Sequence, residues 1–365
     1  MTLPWVVLGV AASKRARGLQ SARASLGLAP AQLIEWRDWL ARPQELAACL
    51  GRPCCFKIEP PGDDLQAHAT LLRLGCRELG RAECAPPEHG ELLATDAWFA
   101  GFSVAMQRLQ ALLAGLPQVR VLNPPRDILA MTDKLHCQQH LLAHGVPTPP
   151  LLGAVGGYEE FTALLDHHAA GRAFLKARYG SSAAGVIAYR RNGRGQEQAT
   201  TSAHLVVGPR GPRLFNVKRL RSYHRQAEIR QVMDLVAGQG AYAELWIPKP
   251  RCGAGHFDVR VLTVGGRASH RVARIGLRTL TNLHLDSQRA DPAHLLAPQD
   301  QQVMAATAEQ AARAFASSHV IGFDLVVRHG AARVLEANAF GDLLPGLLWQ
   351  GRDAYAAVLQ EEALA

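Results

Sequence analysis

Two short apolar runs constrain this chain more than any other feature. Ile321 to Val327 (IGFDLVV) and Arg333 to Phe340 (RVLEANAF) read as strands, and His329-Gly330 between them reads as a turn. Alternation along a strand puts residues i and i+2 on one face, so Glu336 and Asn338 point the same way. Pairing of the runs as a hairpin brings Asp324 beside them. Two carboxylates and an amide oxygen then share an apolar frame. Such a set suits a hard cation, above all Mg²⁺ held between carboxylates and substrate phosphates. Buried carboxylates without a partner are costly, so a chance hairpin with this content is the weaker reading.

With 365 residues the chain is too long for one small core, and two or three structural units are expected. No apolar stretch reaches the roughly 18 residues needed to span a bilayer, so no membrane association is expected. The apolar run Leu3 to Ala12 precedes Lys14, Arg15 and Arg17, the reverse of a secretory signal, and reads as a first buried strand. Seven cysteines without a C-x-x-C pair fit reduced thiols and a cytoplasmic location better than zinc or a disulfide scaffold. The 15 histidines give no convincing zinc pair.

The net charge of +9 calls for an anionic partner. Its densest cluster is Lys218, Arg219, Arg221, His224 and Arg225. That cluster lacks interleaved aromatics, and no helix-turn-helix or zinc finger is visible, so no nucleic acid is expected. An anionic substrate or nucleotide fits better; a merely solvated basic face is the equal alternative for the cluster. The turn after the first strand, Gly9-Val10-Ala11-Ala12-Ser13, is no dinucleotide fingerprint, and no Gly-x-Ser-x-Gly elbow occurs.

Residues 1–122 read as an α/β unit with strands at Trp5 to Val10, Gln32 to Trp36, Cys54 to Ile58 and Val119 to Leu122, and a helix over Asp96 to Leu113. A helix is predicted over Asp133 to His144, with Thr132 as N-cap and Gly145 and Pro147 as the stop. A helix over Tyr158 to Ala169 and a strand over Ala173 to Ala177 follow, then the loop Tyr179 to Gly185 and a strand at Val186. Ala241 to Ile247 is a strand ended by Pro248. Phe257 to Val264 turns at Gly265-Gly266 and pairs with Arg267 to Ile275, and a helix covers Gln301 to Ser318.

Four pieces stand in order: Asp133-Lys134 opening a helix, Lys176 before a small-residue loop, Glu244 to Ile247 with Asp258-Val259-Arg260 downstream, and the Asp324, Glu336, Asn338 set. This order resembles the ATP-grasp superfamily, in particular the branch of glutathione synthetases and ribosomal-protein glutamate ligases. The resemblance spans about residues 120–350. It implies an N-terminal α/β domain (1–122) followed by a two-subdomain ATP-grasp fold of α/β and α+β type, with subdomains 123–240 and 241–365.

For the site, the resemblance implies ATP bound between two halves. Lys176 and Lys134 match lysines that reach the nucleotide. Ser181 and Ser182 lie in the loop that closes on phosphates, where Ala183-Ala184 replaces the glycine usual in relatives. Glu244, Leu245, Trp246 and Ile247 match the segment that holds adenine, with Trp246 as packing. Asp258 matches a ribose or substrate contact, across a loop longer than in those ligases. Arg274, with Arg271 as second choice on the opposite face, matches the arginine that steadies an acyl-phosphate. Arg260 and His284 are candidates for substrate, Arg260 with a structural ion pair as its plainer role. Asp324, Glu336 and Asn338 match ligands of two Mg²⁺ ions, with Mn²⁺ as a substitute. The implied activity joins a small-molecule or peptide carboxylate to an amine, and homodimers occur in the family. A kinase on this fold, or a nucleotide-binding regulatory protein without catalysis, is the alternative.

Overall fold

The computed structural model describes residues 3–62, 64–180, 184–209, 211–277, 288–341 and 344–364. They form three sheets. The first is parallel, with order β2-β1-β3-β4, from β1 (Trp5–Gly9), β2 (Gln32–Glu35), β3 (Cys54–Ile58) and β4 (Val119–Val121). Every side chain of β1 and β3 is buried, as expected of a parallel sheet covered on both faces. Its helices are α1 (Lys14–Ser25), α2 (Trp36–Ala41), α3 (Pro43–Cys49), α4 (Leu65–Glu78) and α5 (Thr95–Ala114). The strand expected to end at Trp36 stops at Glu35. Trp36 opens α2 instead, and its indole donates to Glu59 O at 2.8 Å.

Helices α4 and α5 touch backbone to backbone. A Cβ on Gly101 would lie 1.8 Å from Leu71 O, and one on Gly75 would lie 1.6 Å from Ala97 O. No side-chain rotation relieves either clash. Gly101→Ala is therefore expected to cost about 1–3 kcal/mol or more by forcing the helices apart. Urea unfolding of the variant checks this.

Two helices, α6 (Pro125–Thr132) and α7 (Lys134–Ala143), lead to the second sheet. The cap of α7 is Asp133, whose Oδ1 accepts from His136 N at 3.3 Å. Thr132, expected in that place, ends α6 and donates to Ile128 O. The second sheet has order β5-β10-β6-β7-β8-β9, every pair antiparallel. It contains β5 (Leu151–Val155), β6 (Arg172–Ala177), β7 (Val186–Arg191), β8 (Glu197–Gly208), β9 (Gly211–Tyr223) and β10 (Ala241–Leu245). The boundary expected at 240/241 thus falls immediately before β10, a strand that belongs to this sheet. Helices α8 (Tyr158–His167) and α9 (Gln226–Ala237) pack Phe161, Met233 and Val236 onto Leu175, Ile187 and Tyr189 of one face. By alternation, Phe174, Lys176, Val186 and Ala188 lie on the other face.

The third sheet runs β14-β13-β12-β15-β16, with β11 (Arg251–Cys252) paired to β12. Its strands are β12 (Gly255–Val264), β13 (Arg267–Gly276), β14 (Gln288–Ala290), β15 (Val320–Arg328) and β16 (Ala331–Asn338). Both of its main hairpins close on two positive-φ residues, Gly265-Gly266 (55° and 76°) and His329-Gly330 (52° and 71°). That is the turn whose twist matches antiparallel strands. Helix α10 (Pro298–Ala314) covers the sheet, and α11 (Ala354–Leu364) ends the chain. One apolar core joins the first and third units, with Ile128, Met131 and Leu141 against Phe257, Phe323 and Val334. Among the described residues no helix is long and apolar enough to cross a membrane.

His319 lies at this junction, its N–H bonded to Leu122 O at 2.7 Å. Burial, then the charges of Arg120 and Lys57, pushes its ring down to about 4. The ring is neutral when folded and gains a proton near 6.5 when unfolded. Stability is therefore lost as pH falls from 6.5 towards 4, by on the order of 3 kcal/mol. Urea midpoints taken across that window should fall less steeply in His319→Gln.

Candidate active site

The N-terminal turn of α7 ties the second and third sheets together. Asp133 takes a two-pronged ion pair from Arg178 at the end of β6 (Oδ1 3.1 Å, Oδ2 2.5 Å), and Lys134 N donates to Arg178 O at 3.0 Å. From the same turn, Lys134 Nζ reaches Glu336 Oε1 of β16 at 2.7 Å. On the second sheet, Lys176 of β6 pairs with Glu244 of β10 at 2.5 Å, and its ammonium lies 5.9 Å from the rings of Phe174 and Tyr242. Burial raises the Glu244 carboxyl above its ordinary range against the pull of Lys176. Burial also raises Tyr242, with Glu244 and Glu336 adding to the effect.

The third sheet carries a chain of charges. Lys249 Nζ meets Asp258 Oδ2 at 2.8 Å, and Arg274 Nε meets Asp258 Oδ1 at 2.7 Å. The Nη2 of Arg274 then meets Asp324 Oδ2 at 2.9 Å, while Arg260 grips both oxygens of Asp324. Register explains the chain: Asp258 faces Arg274 across β12 and β13, and Arg260 faces Asp324 across β12 and β15. Burial alone would raise the Asp324 carboxyl; the two guanidiniums override it and hold it well below the ordinary range. Arg274 is only 7% exposed, and its two carboxylates outweigh its burial and raise its pKa. Arg271 stands opposite Val261, three residues away, and so on the other face of β13. Among the described residues, six cations of this cluster pair with five carboxylates.

The three oxygen-bearing residues expected to hold metal are adjacent in the ladder, Asp324 facing Glu336 and Gly322 facing Asn338. Asn338 Nδ2 donates to Gly322 O at 3.2 Å. Among the described residues, no group of three or more His, Cys, Asp and Glu is arranged to hold a metal ion; this set has two carboxylates and one amide. Its donor chemistry fits a hard cation at Glu336 and Asn338. Asp324 fits once one guanidinium contact is exchanged, because Arg260 and Arg274 occupy both of its oxygens.

The remaining expected residues divide. Leu245 N donates to Pro150 O at 2.9 Å, and Trp246 packs its ring on Phe174 at 5.2 Å, with Ile247 just past the strand. Arg260 and Asp258 are bonded to protein charges. Ser181, Ser182 and His284 lie outside the described residues. Sequence reasoning placed Asp133 in the first of the four pieces without a site role, and it missed Arg178 and Lys249; these residues brace the turn of α7 and Arg274. It also missed Arg15 and Asn123 of the first unit. Arg15 donates to Phe340 O (2.8 Å) and Gly341 O (2.6 Å), and Asn123 to Ala339 O (2.7 Å), fixing the chain just after Asn338. The only sequence signal for Arg178 was its place two residues after Lys176.

No family model matches the sequence, and no curated protein matches it. Solved structures do match. The ATP-grasp ligase PsnB, complexed with a minimal precursor, is 14% identical over 100% of this chain and 99% of its own, with a TM-score of 0.56. The D-cycloserine synthetase DcsG is 16% identical over 99% of each chain, with a TM-score of 0.54. The N5-carboxyaminoimidazole ribonucleotide synthetase PurK, as its ADP complex, is 11% identical over 98% of this chain and 77% of its own, with a TM-score of 0.58. The described residues have the fold of these ATP-grasp structures.

Proposed function

We propose that this protein is an ATP-dependent carboxylate–amine ligase. The observation that carries this reading is the first turn of α7, where Lys134 pairs with Glu336 of the third sheet while Asp133 and Lys134 bond Arg178, two residues after the Lys176–Glu244 pair of the second. Each lysine rests on a carboxylate that phosphates can replace. Adenine packs beside Trp246 and Phe174. Leu245 N and Trp246 N are already bonded to Pro150 O and Arg172 O, which leaves the Ile247 backbone to meet the base.

Lys176, Lys134 and the Ser181-Ser182 loop bind the phosphates, and Asp258 holds Arg274 ready for the phosphoryl group in transit. Glu336, Asn338 and Asp324 would hold Mg²⁺, which neutralises phosphate charge and orients the γ-phosphoryl group. A substrate carboxylate oxygen attacks the γ-phosphorus, the bond to the bridging oxygen breaks, and ADP leaves. The amine nitrogen then attacks the acyl carbon, phosphate departs, and the nitrogen gives up its proton. Positioning and charge neutralisation supply the rate. Among the fold neighbours, the ligase PsnB bound to a precursor peptide and the D-cycloserine synthetase DcsG support a peptide or a small molecule as substrate.

Mass spectrometry of products from protein, ATP–Mg²⁺ and pools of amino acids and peptides tests the reading. The expected result is a coupled product lacking one water, formed with ADP and phosphate. A product that gains a phosphate without coupling overturns it in favour of a kinase.

A further inference from the structure

Strand β9 is an edge of the second sheet, and its outer side is only partly used. Leu92 N donates to Leu214 O at 2.8 Å and Asn216 N to Gly90 O at 2.7 Å, so residues 90–92 cover it as far as Asn216. Beyond Asn216 no second strand pairs with it among the described residues. The inner ladder also breaks there. Ala203 faces Asn216 and Thr201 faces Arg221, so Val217 to Leu220 bulge out opposite Ser202 alone. Bulges at an edge re-aim side chains and leave backbone groups open.

The bulge and the residues after it carry the basic cluster. Lys218, Arg219, Arg221, His224 and Arg225 are all exposed. Among the described residues none of them makes an ion pair, although Arg213 on the same strand pairs with Glu88 at 2.8 Å and Arg230 and Arg191 pair with Glu159 and Asp166. A face that merely needed solubility gains nothing from leaving these cations unmatched. Leu220, in the bulge, packs with Phe174, Val186, Ala188 and Trp246. These lie on the face that carries Lys176. The cationic edge therefore stands at the rim of the ATP cleft.

We propose that the outer edge of β9 from Val217 to Tyr223, with His224 and Arg225 just beyond it, docks an acidic segment of a polypeptide as an added strand, delivering a substrate carboxylate to the cleft. Backbone hydrogen bonds supply the hold and the unmatched cations supply the preference for acidic side chains. An acidic peptide suits the edge better than nucleic acid does, because the one aromatic ring on this stretch, Tyr223, is buried under Arg221. The inference rests on the ligase reading for its purpose, while its test needs no turnover.

The probe is a fluorescein-labelled alternating Glu-Val peptide of about ten residues, the length of an edge strand. Fluorescence anisotropy should show saturable binding that weakens with salt, and K218E/R219E/R221E should bind about tenfold or more weakly. ADP affinity by calorimetry should be equal in both proteins. If the triple variant fails to fold, Arg219→Gln carries the same comparison with a smaller loss. A peptide N-methylated at alternate residues keeps the charge but cannot pair, and should bind weakly. Equal binding by the charge variant, by the methylated peptide, or by an oligothymidylate of equal charge overturns the inference. Loss of peptide binding alone leaves the ligase reading standing, whereas failure of the wild type to bind ADP sinks that reading.

Discussion

Glu336→Gln should lower ADP formation about a thousandfold while the protein stays folded. Two properties of the site lead to this result. Glu336 is bonded to Lys134 and faces Asp324 in the ladder, two residues before Asn338, so its charge offsets the lysine and offers oxygen to a cation. Its side chain is also 33% exposed, so an isosteric amide there costs less than about 1 kcal/mol of stability. A coupled assay for ADP and a urea titration read the two effects separately. Turnover near the wild-type rate in a folded variant would remove Glu336 from the site.

Asp324→Asn should have the largest effect on stability, a loss of about 3–5 kcal/mol. The carboxylate is buried and shared by Arg260 and Arg274. Neutralising it removes the carboxylate that the two buried guanidiniums share, while Arg274 keeps its bond to Asp258. The double variant Asp324→Leu/Arg260→Met should recover part of the loss. It leaves Lys249, Asp258 and Arg274 as a group that is already internally bonded. Urea unfolding of the single and double variants measures both quantities. A double variant less stable than the single one would contradict this account of the charges.

The parts of the fold that were legible in the sequence are those whose determinants are local. The hairpins around Gly265-Gly266 and His329-Gly330 follow from alternation and from residues that tolerate positive φ. The end of α7 follows from Gly145 and Pro147, although its cap moved by one residue to Asp133 because that carboxylate also serves Arg178. Strands β8 and β9 escaped notice. Their alternation is broken by the four-residue bulge, and their outward positions are filled by polar and basic residues rather than by a clean pattern.

In the site, residue types were legible and partners were not. Arg260 and Asp324 are 64 positions apart, and Lys134 and Glu336 are 202 apart. Sheet register brings the first pair together, and the docking of α7 against β16 brings the second. For the same reason Asp258 reads from sequence as a nucleotide contact, while in the fold it braces Arg274 against Lys249. Arg260 likewise reads as a substrate contact and spends its guanidinium on Asp324.

The most direct measurement follows oxygen. The protein is incubated with ATP–Mg²⁺, amines, and an amino-acid and peptide pool whose carboxylates carry ¹⁸O, and the phosphate released is weighed. An acyl-phosphate intermediate transfers one carboxylate oxygen to that phosphate, so labelled phosphate is the result predicted. Unlabelled phosphate formed alongside a coupled product would contradict the proposed chemistry.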